Sequence, residues 1–127
     1  MIYGVGTDLI QIGRIEKALQ RFGDRFARRI LCEPELKRFH AHKKPAAYLA
    51  KRFAAKEAFT KALGTGIHAP ANWHGVWVVN LKSGKPELHF SEKLKTFLDG
   101  KQITQAHLSL TDERDMACAT VILETGD

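Results

Sequence analysis

Residues 52–63 read RFAAKEAFTKAL. On a 3.6-residue repeat Ala55, Ala58, Phe59 and Ala62 form a buried stripe, while Phe53, Glu57 and Lys61 stack at i, i+4 spacing along its flank. The pattern predicts an amphipathic helix whose stripe faces the core. A carboxylate and an ammonium one turn apart on a rigid helix can hold a metal ion and a phosphate. The same spacing also describes an ordinary surface ion pair worth about 0.2–0.5 kcal/mol, so the flank alone leaves both readings open.

Upstream, Pro45 can open this helix, since the first helical position needs no N–H; downstream, Gly64 after Leu63 supplies a left-handed stop. GTGIHAPANWHG (64–75) is a turn-rich connection. Its glycines can bring backbone amides close to a phosphate or simply cap the helix. At the amino terminus IYGVGTDLI (2–10) alternates as a strand, with Ile2, Gly4, Gly6, Asp8 and Ile10 on one face and Tyr3, Val5, Thr7 and Leu9 on the other. Two glycines on the Asp8 face imply close approach of another group, a ligand or a tightly packed helix.

Between these segments Arg14, Lys17, Arg21, Arg25 and Arg28 recur at helical spacing. An apolar stripe of Ile12, Ile15, Leu19, Phe22 and Phe26 lies beside them, which predicts one basic helix facing core and partner at once. Glu33-Pro34 marks a short helix start, and HAHKKP (40–45) ends that helix. VWVVNLK (76–82) and PELHF (86–90) are strands joined around Ser83-Gly84-Lys85. Ser91 caps a helix with Leu94, Phe97 and Leu98 inward, and strands over about 106–111 and 116–124 flank the polar DERD turn. The fold class is α+β, a largely antiparallel sheet packed with a long central helix, and 127 residues suit a single domain over 1–127.

The chain carries 20 Lys and Arg against 14 Asp and Glu, a formal charge of +6 that favours a polyanionic partner. Nucleic acid is disfavoured because most aromatics fall on apolar faces rather than interleaving with cations on strands. No apolar stretch reaches the roughly 20 residues of a membrane helix, and MIYGVGTDL lacks the basic start of a signal peptide, so the expected location is cytoplasmic. Cys32 and Cys118 read as free thiols. His40, His42, His68, His74 and His89 follow no ligand spacing, and Trp73 and Trp77 read as packing residues.

Four ordered blocks, GTDLI (6–10), RFAAKEAFTKALGTGI (52–67), GKP (84–86) and HLSLTDERDMACATVILE (107–124), resemble the bacterial holo-[acyl-carrier-protein] synthases, which are 4'-phosphopantetheinyl transferases. The resemblance spans nearly the whole chain. It implies transfer of phosphopantetheine from coenzyme A to a serine of apo acyl carrier protein, releasing 3',5'-ADP, in fatty acid biosynthesis. It implies Mg2+ held by Asp8 and Glu57, with Lys61 as a fixed charge over the pyrophosphate and Glu57, Lys61 and His107 as the catalytic group. Coenzyme contacts would fall on Arg52, Lys56, Thr60, Lys61, Gly64, Thr65, Gly66, Gly84, Lys85, Pro86 and His107.

Several of these residues keep a second reading. Lys56 projects about 100° from Glu57 and either meets a peripheral phosphate or forms an ion pair. Arg52 either contacts a coenzyme phosphate or forms a surface salt bridge, and Thr60 donates to phosphate or to its own helix backbone. The serine proton could pass to Glu57, to a metal-bound water beside it, or to His107. Small members of the family are homotrimers with coenzyme sites between subunits. An acidic carrier protein would meet Arg14, Arg21 and Arg25, with Phe22 or Phe26 filling an apolar gap. Thr7, where an apolar residue is frequent, and Thr111-Asp112, where a second histidine is common, depart from the family spelling.

Overall fold

A computed structural model describes residues 1–126. Strand β1 (Ile2–Gln11) leads into α1 (Ile12–Phe22) and α2 (Asp24–Ile30), then α3 (Glu33–Ala41) and the long α4 (Pro45–Leu63). Hairpin strands β2 (Val76–Asn80) and β3 (Pro86–Phe90) follow, then α5 (Glu92–Gly100), β4 (Ile103–Asp112) and β5 (Met116–Thr125). The long strands make a three-stranded sheet in the order β1-β5-β4, with β2-β3 as a separate pair, and every pairing is antiparallel. This is the expected α+β class.

The glycines of β1 explain how α4 meets the sheet. A Cβ added at Gly4 would lie 2.0 Å from the Ala62 carbonyl oxygen, and one at Gly6 would lie 1.9 Å from that of Ala58. The group that approaches this face is therefore the helix. Ala55, Ala58, Phe59 and Ala62 are buried as the periodicity requires. Burial extends further than an amphipathic pattern predicts: Tyr48, Leu49, Ala50, Arg52, Ala54, Lys56, Thr60 and Leu63 are also buried. The reason is tertiary. The sheet takes one side of α4, and α1, α2, α3 and β2 contact others.

Local signals set the element ends. Pro45 stands in the first turn of α4, Gly64 adopts φ 88° at its end, and the Ser91 hydroxyl accepts the Leu94 N–H of α5. The basic helix differs from its sequence reading. Gly23, at φ 65° and ψ −149°, separates α1 from α2, so the stripe of five cations is split over two helices. Periodicity counts residues and is blind to a change in the sign of φ at one of them.

The register also defines an open face of the sheet. Val5, Ile122 and His107 form one row across the strands, Thr7, Thr120 and Ser109 the next, and Leu9, Cys118 and Thr111 a third. Val5 is 58% exposed and Leu9 63%.

Gly6→Ala should destabilise the chain by about 3 kcal/mol or more, because two backbones would have to separate. Gly13→Ala, with no atom within 4 Å of the added Cβ, should be neutral or stabilising by up to about 0.5 kcal/mol. Urea denaturation of both variants checks this, and a Gly6→Ala loss below about 1 kcal/mol would contradict the close packing.

Candidate active site

Asp8 lies on the glycine face of β1, and Glu57 and Lys61 lie on the flank of α4 that this face meets. The close contact of strand and helix brings all three together. The Lys61 ammonium donates to Asp8 Oδ1 at 3.0 Å and to the Thr7 carbonyl at 3.1 Å. Asp8 is largely shielded, with 16% of its side chain exposed, while Lys61 keeps 53% in solvent. Burial raises the Glu57 carboxyl above the ordinary glutamate range; the Asp8 carboxylate pushes it further the same way, and Lys61 opposes both.

Two carboxylates close enough for one to raise the other's proton affinity form a hard-oxygen pair suited to a small divalent cation. Among the described residues no cluster of three or more His, Cys, Asp or Glu forms. Two protein donors leave room for water and phosphate oxygens, which is how magnesium is commonly held. The donor chemistry therefore fits the ion that the sequence implies.

The remaining residues of the motif divide. Lys56 is completely buried and donates to Glu35 Oε1 at 2.8 Å, the Ile30 carbonyl at 2.6 Å and the Trp73 carbonyl at 2.9 Å. All three of its protons stay inside the protein, so the phosphate reading of Lys56 is corrected to a core ion pair. Glu35 is satisfied in turn by the N–H groups of Cys32 and Val78. Thr60 is buried and bonds back to the Glu57 carbonyl at 3.0 Å. Arg52 is buried, with 3% exposed, which excludes its surface salt-bridge reading. Its guanidinium lies 4.4 Å from the centre of the Tyr48 ring, Nη2 donates to Asn80 Oδ1 at 2.6 Å, and Nε has no partner.

Asn80 Nδ2 passes the connection on to the Gly84 carbonyl at 3.2 Å. Arg52 and the Gly84-Lys85-Pro86 hairpin, far apart in sequence, are thus joined through a residue that sequence reasoning passed over. Glu35 was also missed. Its only signal was its place three residues after Cys32, where it closes a capping box. The amides of Gly64, Thr65 and Gly66 all turn back to the Thr60 carbonyl, the geometry of a helix cap.

His107 does not join Asp8 within this chain. Asp8 pairs with Ala119, which pairs with Leu110, and His107 alternates to the opposite face of the sheet, where Nε2 lies 3.6 Å from Glu124 Oε1. The other basic surface is accessible: Arg14, Arg21 and Arg25 are exposed, Phe22 is 46% exposed beneath the Arg21 guanidinium, and Phe26 is half-buried. Cys32 and Cys118 are free; burial pushes the Cys32 thiol up to about 11.

The family model of the 4'-phosphopantetheinyl transferase superfamily matches residues 4–121. The chain belongs to this superfamily. It is 51% identical over 125 residues to a holo-[acyl-carrier-protein] synthase of Azoarcus sp. (strain BH72), covering 98% of this chain and 99% of that one. Its fold matches the crystal structure of holo-[acyl-carrier-protein] synthase from Neisseria meningitidis with a TM-score of 0.96 at 43% identity, over 98% of this chain and 100% of that one. A Bacillus anthracis holo-(acyl-carrier-protein) synthase, solved in complex with CoA (3',5'-ADP), matches with a TM-score of 0.84 at 38% identity, over 99% of each chain. In this phosphopantetheinyl transferase family member α4 supplies Glu57 and Lys61 to meet Asp8 of β1, and the buried Lys56 to the core.

Lys56→Met should cost about 3–5 kcal/mol of stability, because it leaves the Glu35 carboxylate buried without its cation. Chemical denaturation reads the loss; a change within about 1 kcal/mol would show that Glu35 is not held by this pair.

Proposed function

We propose that this chain is a holo-[acyl-carrier-protein] synthase that transfers 4'-phosphopantetheine from coenzyme A to a serine hydroxyl of apo acyl carrier protein. The products are holo carrier protein and adenosine 3',5'-bisphosphate, and the pathway served is fatty acid biosynthesis. The observation that carries the reading is the meeting of Asp8, Glu57 and Lys61 on the packed β1 and α4, in a chain similar over its whole length to holo-[acyl-carrier-protein] synthases.

Serine Oγ attacks the phosphorus bearing the pantetheine arm, and the bond from that phosphorus to the adenosine bisphosphate oxygen breaks. Magnesium on Asp8 and Glu57 would supply charge neutralisation at the pyrophosphate oxygens. Lys61, rooted one turn beyond Glu57 and half in solvent, can reach an anion beside Asp8 and stabilise the leaving phosphate. Glu57, on the flank of α4 that meets Asp8, receives the serine proton directly or through a water beside it in this reading. Arg52, through Asn80, props the 84–86 hairpin against which the coenzyme rests.

The single-domain reading over 1–127 and the homotrimer belong to the same proposal. Exposed Val5 and Leu9 give the open sheet face an apolar surface for another copy, and His107 lies in the Val5 row. A neighbouring copy is the natural source of an imidazole for the coenzyme's phosphates. No helix of the described residues is long and apolar enough to cross a membrane, and two free thiols agree with a cytoplasmic site of action.

Mass spectrometry of an apo acyl carrier protein incubated with the chain, coenzyme A and magnesium tests the reaction. A phosphopantetheine adduct is expected from the wild type and its loss from folded Asp8→Ala and Glu57→Ala. Absence of the adduct with several carriers would overturn the activity, and adducts from both variants would overturn the metal site. Arg14→Glu should raise the KM for the carrier about tenfold at low salt, with less effect on the KM for coenzyme A. An unchanged carrier KM at low salt would remove α1 from the docking surface.

A further inference from the structure

Lys61 bonds to two acceptors on one strand, and the two differ in what they can give up. The Thr7 carbonyl belongs to a paired strand, with Thr7 Oγ1 also donating to the Ala119 carbonyl at 3.1 Å, so that acceptor is fixed in place. Asp8 Oδ1, 3.0 Å from the ammonium, is a carboxylate oxygen that a divalent cation would also need. The two cations would stand within a few ångströms of each other on a partly buried carboxylate, where like charges repel strongly. Lys61 itself is a flexible stem on the surface of α4, 53% exposed, and its root keeps it within reach of an anion on the same flank as Glu57.

We propose that Lys61 couples cation and coenzyme binding: its ammonium competes with a divalent cation for Asp8, and the coenzyme's pyrophosphate draws the ammonium away and releases Asp8 to the cation. The inference rests on the transferase reading above and deepens it. Coupling of this kind is reciprocal, so the cation strengthens coenzyme binding by the same factor. It would also disfavour filling of the site by cations when no coenzyme is present.

The test is Mn2+ binding to the whole chain, followed by the electron paramagnetic resonance signal of free Mn2+, without and with saturating coenzyme A and with no carrier protein present. A blank of coenzyme A alone corrects for metal bound by its phosphates, and Asp8→Ala marks the site. For the wild type, coenzyme A should tighten Mn2+ binding about tenfold or more. Lys61→Met should bind Mn2+ about tenfold tighter than wild type without coenzyme, and its further gain on adding coenzyme should be smaller. The Lys61 side chain is half exposed, and thermal melting confirms that the variant is folded. Equal Mn2+ affinity in wild type and Lys61→Met, with equal gains from coenzyme A, would overturn the coupling while leaving the transferase reading intact. Mn2+ bound equally by Asp8→Ala, or by no form of the chain, would overturn the metal site and the coupling together. Phosphopantetheine transfer, read separately, would then show whether the reaction survives.

Discussion

The structure depends on the contact between the glycine face of β1 and the small-residue side of α4. Gly4 and Gly6 leave no atom between the strand and the carbonyls of Ala62 and Ala58, so the helix lies directly on the strand backbone. Functional geometry follows from that separation. Asp8 is two residues beyond Gly6, and Glu57 immediately precedes Ala58, so carboxylates from segments about fifty residues apart come to one place. A larger side chain at either glycine would push the elements apart, and the site would open with them.

The same helix shows how two lysines of one motif acquire different chemistry. Lys61 points along the exposed flank and reaches Asp8, whereas Lys56 is rotated into the protein and gathers the end of α2, the first turn of α3 and the loop at Trp73 around one ammonium. A buried charge of this kind is costly unless every proton and its counter-ion are satisfied. Here Glu35 meets Lys56 and two backbone amides at once. The pair secures the elements behind α4, leaving the flank with Glu57 and Lys61 free for chemistry. Arg52, stacked on Tyr48 and bonded through Asn80 toward Gly84, extends the arrangement to the hairpin.

The sheet divides the functional residues between its faces. Its inner face is filled by α4 and carries Asp8, while the outer face carries His107 among exposed apolar side chains. In the proposed function these faces are the two halves of a coenzyme site, closed when one subunit's outer face meets another's inner edge. The basic surface of α1 and α2 remains outside both. Gly23 turns it into two short helices, separating Arg14 and Arg21 from Arg25.

Local sequence carried much of this. Pro45 and Gly64 set the ends of α4, Ser91 capped α5, Ser83-Gly84-Lys85 joined the hairpin, and alternation in residues 2–10 placed Asp8 on the same face as Gly4 and Gly6. Each rests on interactions within a few residues, which a sequence displays directly. The motif blocks likewise marked Asp8, Glu57 and Lys61 as a group. Only the tertiary structure decided that Lys56 is a core cation, that Arg52 is buried, that Glu35 and Asn80 matter, and that His107 lies across the sheet from Asp8. Periodicity reports which residues share a face of one element. What that face meets is decided by packing between segments distant in the chain, and there burial determines whether a charge serves the core or the site.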